Sequence, residues 1–117
     1  MDLSQAISAH GEWKVKLRAA IMKKEQLDTT SISIDNKCAL GQWLYGEART
    51  KYGQLKSYPD LLAKHAVFHK EVGRVALLVN SQKYTEAESM LGVGSSYSNA
   101  SNDVCMAIQA LKKEAGL

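Results

Sequence analysis

One proline, one phenylalanine and two cysteines are all that a chain of 117 residues contains of these types. A single proline, Pro59, leaves long stretches free of the residue that breaks helices. Two cysteines, Cys38 and Cys105, are too few for the disulfide framework of a small secreted domain, and in the cytosol such a pair is reduced, metal-bound or reactive. No apolar run approaches the roughly 18 residues of a membrane span, and the first residues lack the basic start, apolar middle and small-residue cleavage site of a secretion signal. A cytoplasmic protein without a membrane partner is expected. Charge of neither sign dominates: 15 Lys and Arg against 12 Asp and Glu give +3, scattered along the chain. Nothing in that pattern calls for nucleic acid. With 45% hydrophobic and 23% charged residues the composition is that of a folded helical protein, not a disordered one. The length suits one domain spanning 1–117, and no repeat or low-complexity linker divides it.

The apolar periodicity predicts an all-α fold, an antiparallel four-helix bundle with an additional short helix or turn. Behind an N-cap at Asp2, Leu3, Ile7, Val15, Leu17 and Ile21 mark a first helix over about 3–24, with His10 and Trp13 in the same stripe. Residues 26–33 are polar and β-branched and read as a loop with room for a short turn. Asp35 or Asn36 is expected to cap a short second helix that carries Cys38, Leu40, Trp43 and Leu44 and ends near Gly46. Pro59 opens a third, whose stripe runs Leu62, His65, His69, Val72, Ala76 and Val79. Thr85 and Glu88 form the pattern of a capping box for a fourth helix, with Met90, Leu91, Tyr97, Val104, Ile108 and Leu111 on one side. The small residues between Gly92 and Ser101 weaken that helix and predict a kink or an irregular start.

All three histidines fall on inward-facing stripes. His65 and His69, four apart on a helix, lie one turn apart on one face, within reach of the same small ion. Each stands where an aliphatic residue is expected, and an unpartnered imidazole there costs desolvation without return. His10 makes the same departure between Ile7 and Trp13. Cys38, at the start of a helix, offers a soft thiolate whose pKa the helix dipole and free N–H groups are expected to lower. Three imidazoles and one thiolate make the donor set that zinc takes in closed tetrahedral sites. The competing reading is a buried cysteine among satisfied core histidines. Other metal chemistry fits poorly. The residues between the paired histidines, Ala66, Val67 and Phe68, include no Glu to act as the base of a zinc hydrolase. No carboxylate precedes a histidine at the three-residue spacing of di-iron bundles. A Cys38 nucleophile paired with one histidine leaves two inward histidines unexplained.

His10 with Trp13, the segment Cys38, Ala39, Leu40, Gly41, Gln42, Trp43 and Leu44, and the pair His65 and His69 around Phe68 together resemble the bacterial chemoreceptor zinc-binding domain. The resemblance extends over essentially the whole chain. It implies a helical bundle in which His10, Cys38, His65 and His69 hold one Zn²⁺. It further implies a regulatory role, not an enzymatic one, in which zinc or oxidation of the cysteine modulates a fused chemoreceptor signalling domain or diguanylate cyclase. A homodimer is expected on the same ground, and a purely structural zinc staple is the alternative. Trp13, Leu40, Trp43 and Phe68 are expected to line the core and cover the site, with Gly41 allowing close packing against another helix. Cys105 lies outside the motif and reads as a small buried hydrophobe, and Lys112, Lys113 and Glu114 as a solvated tail. Loss of the Cys38 ligand is expected to release residues from about Asp35 to Gly46 first.

Overall fold

A computed structural model describes every residue from Met1 to Leu117. The chain is all-helical, in the order α1 (Leu3–Lys23), α2 (Thr29–Ser33), α3 (Ala39–Tyr45), α4 (Glu47–Tyr52), α5 (Ser57–Asn80), α6 (Tyr84–Met90) and α7 (Ser96–Glu114). Where an antiparallel four-helix bundle with an additional short helix or turn was expected there are seven helices, and three of them, α1, α5 and α7, are long.

The helix ends follow local chemistry. Asp2 caps α1 as expected, its carboxylate accepting from the backbone N–H groups of Ser4 at 2.9 Å and Gln5 at 3.2 Å. Lys24 closes the helix in the left-handed conformation, φ 57°, its N–H returning to the carbonyls of Ala20 and Ile21. Leu3, Ala6, His10, Leu17 and Ala20 face inward. Val15, expected on that stripe, is 69% exposed. It lies two residues from Leu17, which on a helix is about 200° round the axis and so on the opposite face.

The helix α5 begins two residues before Pro59, which falls in the first turn, where no intrahelical donor is needed. Leu61, not the expected Leu62, is the fully buried residue at its start. The capping box does not form. Lys83 precedes α6 without a side-chain cap, and Thr85 lies inside the helix. The expected fourth helix breaks after Met90, where Gly92 and Gly94 raise the entropy cost of continuing it. It restarts behind Ser95, whose hydroxyl accepts from the N–H of Ser98 at 3.1 Å. The loop expected over 26–33 contains α2, capped by Asp28 through the N–H of Ser31 at 3.2 Å.

Contacts between helix ends fix the directions. Ser57 at the start of α5 bonds Glu114 at the end of α7, at 2.9 Å from its N–H and 2.6 Å from its hydroxyl. Lys112, near the same end of α7, reaches Ser4 at the start of α1 at 2.8 Å. Asn80 at the end of α5 pairs with Leu27, just beyond α1. So α7 runs against both other long helices, while α1 and α5 run the same way, and the short helices α2, α3 and α4 lie on the path that makes this possible. His10 in the third turn of α1 therefore stands level with His65 and His69 in the third and fourth turns of α5. One apolar cluster, including Leu17, Leu44, Phe68, Val72, Val104 and Ile108, fills the space between the long helices.

Candidate metal centre

Cys38 is itself the N-cap of α3, in place of the expected Asp35 or Asn36. Its backbone is extended, φ −83° and ψ 163°, and its sulfur accepts from the N–H of Gly41 at 3.3 Å. Asp35 is engaged elsewhere, accepting from the Tyr45 hydroxyl at 2.6 Å, a bond that pushes the tyrosine pKa up to about 12. Gly41 is buried against the turn that leads into Cys38, not against another helix: a Cβ there would overlap the Asp35 carbonyl oxygen and stand 2.8 Å from its carbonyl carbon. The glycine thus sets how closely α3 tucks under residues 35–37, and with it the position of the Cys38 sulfur.

The four residues singled out from the sequence come together. One nitrogen from each of His10, His65 and His69 and the sulfur of Cys38 lie within 4.8 Å of one another. His65 is at the middle, its Nε2 3.1 Å from His69 Nε2 and 3.2 Å from Cys38 Sγ. The edges of a tetrahedron of three imidazoles and a thiolate around zinc are about 3.3 to 3.6 Å, from bond lengths near 2.0 and 2.3 Å. The two His65 distances are slightly shorter than these edges, and the widest pairs of the cluster, up to 4.8 Å apart, have to draw in to meet them.

Protonation can be read from the backbone. His10 Nδ1 lies 2.7 Å from the carbonyl of Ala6, and His69 Nδ1 lies 2.9 Å from the carbonyl of Ile32 at the end of α2. Carbonyls only accept, so both rings carry a proton on Nδ1, which leaves Nε2 as the nitrogen with which either could ligate a metal. His10 Nε2 is buried without a hydrogen-bond partner. An unpartnered buried lone pair is costly, and a cation removes the cost. His65 Nδ1, on the far side of its ring, is also unpartnered. The donor set, three nitrogens and one sulfur with no carboxylate among them, suits a borderline-soft ion such as Zn²⁺.

The electrostatics agree. Burial lowers the pKa of His10, and burial followed by the neighbouring charges of His69 and His10 takes His65 down to about 3. Neutral rings are the form that ligates metals. The Cys38 thiol departs from expectation: burial pushes its pKa up, outweighing the N–H groups of Gly41 and Leu40 that favour the thiolate. The helix start alone does not ionise this sulfur. A cation held by these four residues would do so directly, because a coordinating thiol is deprotonated.

The surroundings are uneven. Phe68, fully buried, sets its ring edge-on to His10, with centroids 5.1 Å apart, and Leu40 is 2% exposed. Trp43 instead turns to Tyr52, centroids 5.9 Å apart. Trp13 is half-buried and borders two cavities, of about 320 Å³ and 190 Å³, that both reach Cys38. The indoles therefore do not seal the sulfur from water as expected: the larger cavity is also lined by His10 and the smaller by His69, yet the three imidazoles are at most 3% exposed while Cys38 is half-buried. Cys105, half-buried against the core on α7, takes no part in the cluster. The carbonyls of Ala6 and Ile32, which orient two of the rings, carried no signal in the sequence, since every residue has one.

The family model described as the chemoreceptor zinc-binding domain matches residues 10–76, more than half of the chain and a span that includes all four clustered residues. No curated protein and no solved structure matches the chain. With that match and a cluster of three imidazoles and one thiol inside the matched span, the chain belongs to the chemoreceptor zinc-binding domain family.

Proposed function

We propose that this chain is a zinc-responsive regulatory module in which His10, Cys38, His65 and His69 hold one Zn²⁺ and Cys38 is the ligand that lets go. The observation that carries the reading is the asymmetry of the cluster: three buried imidazoles, two of them held by backbone carbonyls, facing a half-buried thiol that no carbonyl holds and that lines both cavities, where each of His10 and His69 lines one. Thiolate is also the one ligand of the four that common oxidants convert to a species of poor metal affinity, because sulfenic acid lacks the charge that binds zinc. Imidazoles survive the same treatment. The output controlled in this way is a chemoreceptor signalling domain or a diguanylate cyclase in the cytoplasm, in keeping with the family. No helix is long and apolar enough to cross a membrane. Four protein donors leave no open position for substrate, so the module is not an enzyme. The folding unit is the whole of 1–117, since α7, outside the matched span, packs on both α1 and α5. A homodimer fits the apolar Val15 and Met22, both exposed on α1, and light scattering at micromolar concentration decides it against a 12.8 kDa monomer.

Hydrogen exchange on zinc-loaded, chelated and hypochlorite-treated protein tests the switch. The released segment is expected to be shorter than 35–46, because Leu44 is fully buried and its carbonyl accepts from Tyr58 at 2.6 Å. Faster exchange confined to about 35–41 supports the module. Equal acceleration in every helix, or no release on Cys38→Ser, makes zinc a structural staple instead.

A further inference from the structure

The face of α5 that carries His69 also carries Gly73 and Asn80, four and eleven residues on, so the three lie in one row. Each meets the segment 27–33. Asn80 clamps its start with two bonds to Leu27, its side-chain oxygen accepting from the backbone N–H at 2.7 Å and its side-chain nitrogen donating to the carbonyl at 2.7 Å. His69 binds its end, donating to the Ile32 carbonyl at 2.9 Å. Between them, buried Gly73 faces Ser33. A Cβ at Gly73 would overlap the Ser33 hydroxyl oxygen and lie 3.0 Å from its Cβ and 3.4 Å from its Cα. The hydroxyl is not free to swing aside at no cost, because it donates to the Thr29 carbonyl at 2.6 Å. Even a rotated Ser33 leaves its Cβ in the way.

We infer that Gly73 is a positioning residue for the metal centre: it lets α2 approach α5 closely enough for the Ile32 carbonyl to hold the proton on His69 Nδ1 and so present Nε2 to the metal. Asn80 serves the same contact from the other end of the segment. Groups that orient a ligating imidazole typically affect metal affinity by about 10-fold to 100-fold. The inference rests on the proposed zinc site, but its geometric half concerns His69 alone and is measurable without metal.

The experiment compares the full-length chain with Gly73→Ala, Ser33→Gly and the double variant, by zinc competition against a chelator of known affinity and by imidazole ¹⁵N spectra of the metal-free proteins. Alanine is the better helix former, so a general loss of α5 stability is not the expected result of Gly73→Ala. It should weaken zinc binding by about 10-fold or more and lose the fixed Nδ1–H signature of His69. Ser33→Gly clears the space and should restore both in the double variant, to within about 2-fold of Ser33→Gly alone. Unchanged affinity and an unchanged His69 spectrum in Gly73→Ala overturn the inference, as does a double variant no better than Gly73→Ala. Should Gly73→Ala fail to fold, Asn80→Ala takes its place, and a variant indistinguishable from wild type in both readouts overturns the inference. A wild-type chain that takes up no zinc removes the proposed metal function; the ¹⁵N spectra then decide the positioning of His69 by themselves.

Discussion

Replacing Gly41 with alanine should cripple metal binding although the residue supplies no ligand. The added methyl has no room: it meets the Asp35 carbonyl, which is backbone, and Asp35 is held through its side chain by Tyr45 at 2.6 Å. Overpacking costs typically 1 to 3 kcal/mol, and a backbone obstacle places this case near about 3 kcal/mol. Relief requires that residues 35–37 lift off α3, which carries the Cys38 sulfur with them and loosens its 3.3 Å bond from the Gly41 N–H. If the strain falls on the state with all four donors assembled, about 3 kcal/mol corresponds to roughly 100-fold in zinc affinity. A turn that shifts more easily, at about 1 kcal/mol, still leaves about 5-fold. The intrinsic preference of alanine for helices acts in the opposite direction, so helix content should not fall. Gly11→Ala is the matched control, since a Cβ there meets nothing within 4 Å. Chelator competition at pH 7 on the three proteins reads the result. Affinity of Gly41→Ala within about 2-fold of wild type, or an equal loss in Gly11→Ala, refutes the reasoning.

Two further outcomes are expected. His69→Ala removes one of four donors and should weaken zinc binding strongly while leaving far-ultraviolet circular dichroism close to wild type, because the apolar cluster between α1, α5 and α7 does not depend on it; wholesale unfolding would favour a structural staple. In chelated protein, His65 has its pKa lowered from 6.5 to about 3, so the unfolded chain takes up the proton more readily and stability falls as pH drops through that window. The loss between pH 7 and pH 5 is on the order of 2 kcal/mol, with His10 shifted in the same direction, and urea melts that coincide at the two pH values would contradict it.

The cluster was legible in the sequence because each histidine violates an apolar stripe, and a violation at a buried position needs a partner. His10, His65 and His69 are 3%, 0% and 2% exposed, as that argument requires. Helix existence was legible for the same periodic reason. Helix ends were less so. The Thr85 and Glu88 pattern matched a capping box, yet α6 starts two residues too early for it, with Lys83 and not Thr85 at the cap, and the sulfur that caps α3 belongs to a residue with no strong reputation as a cap. Helix α2 was legible only as a loop with room for a short turn, because five residues are too few to display a period. Its importance lies in one backbone carbonyl on His69, and Gly73 and Asn80 matter only through what the folded chain sets beside them. The direction of the Cys38 shift was misjudged because a helix start is visible in sequence, whereas the burial that outweighs it is a property of the fold.

X-ray absorption at the zinc edge, on protein purified without chelator or acid, tests the central claim most directly. The account predicts about one zinc per chain, bound by one sulfur at about 2.3 Å and three imidazole nitrogens at about 2.0 Å, with the sulfur contribution lost in Cys38→Ser and retained in Cys105→Ser. Protein without zinc, a shell dominated by oxygen, or a sulfur signal that follows Cys105 would contradict it.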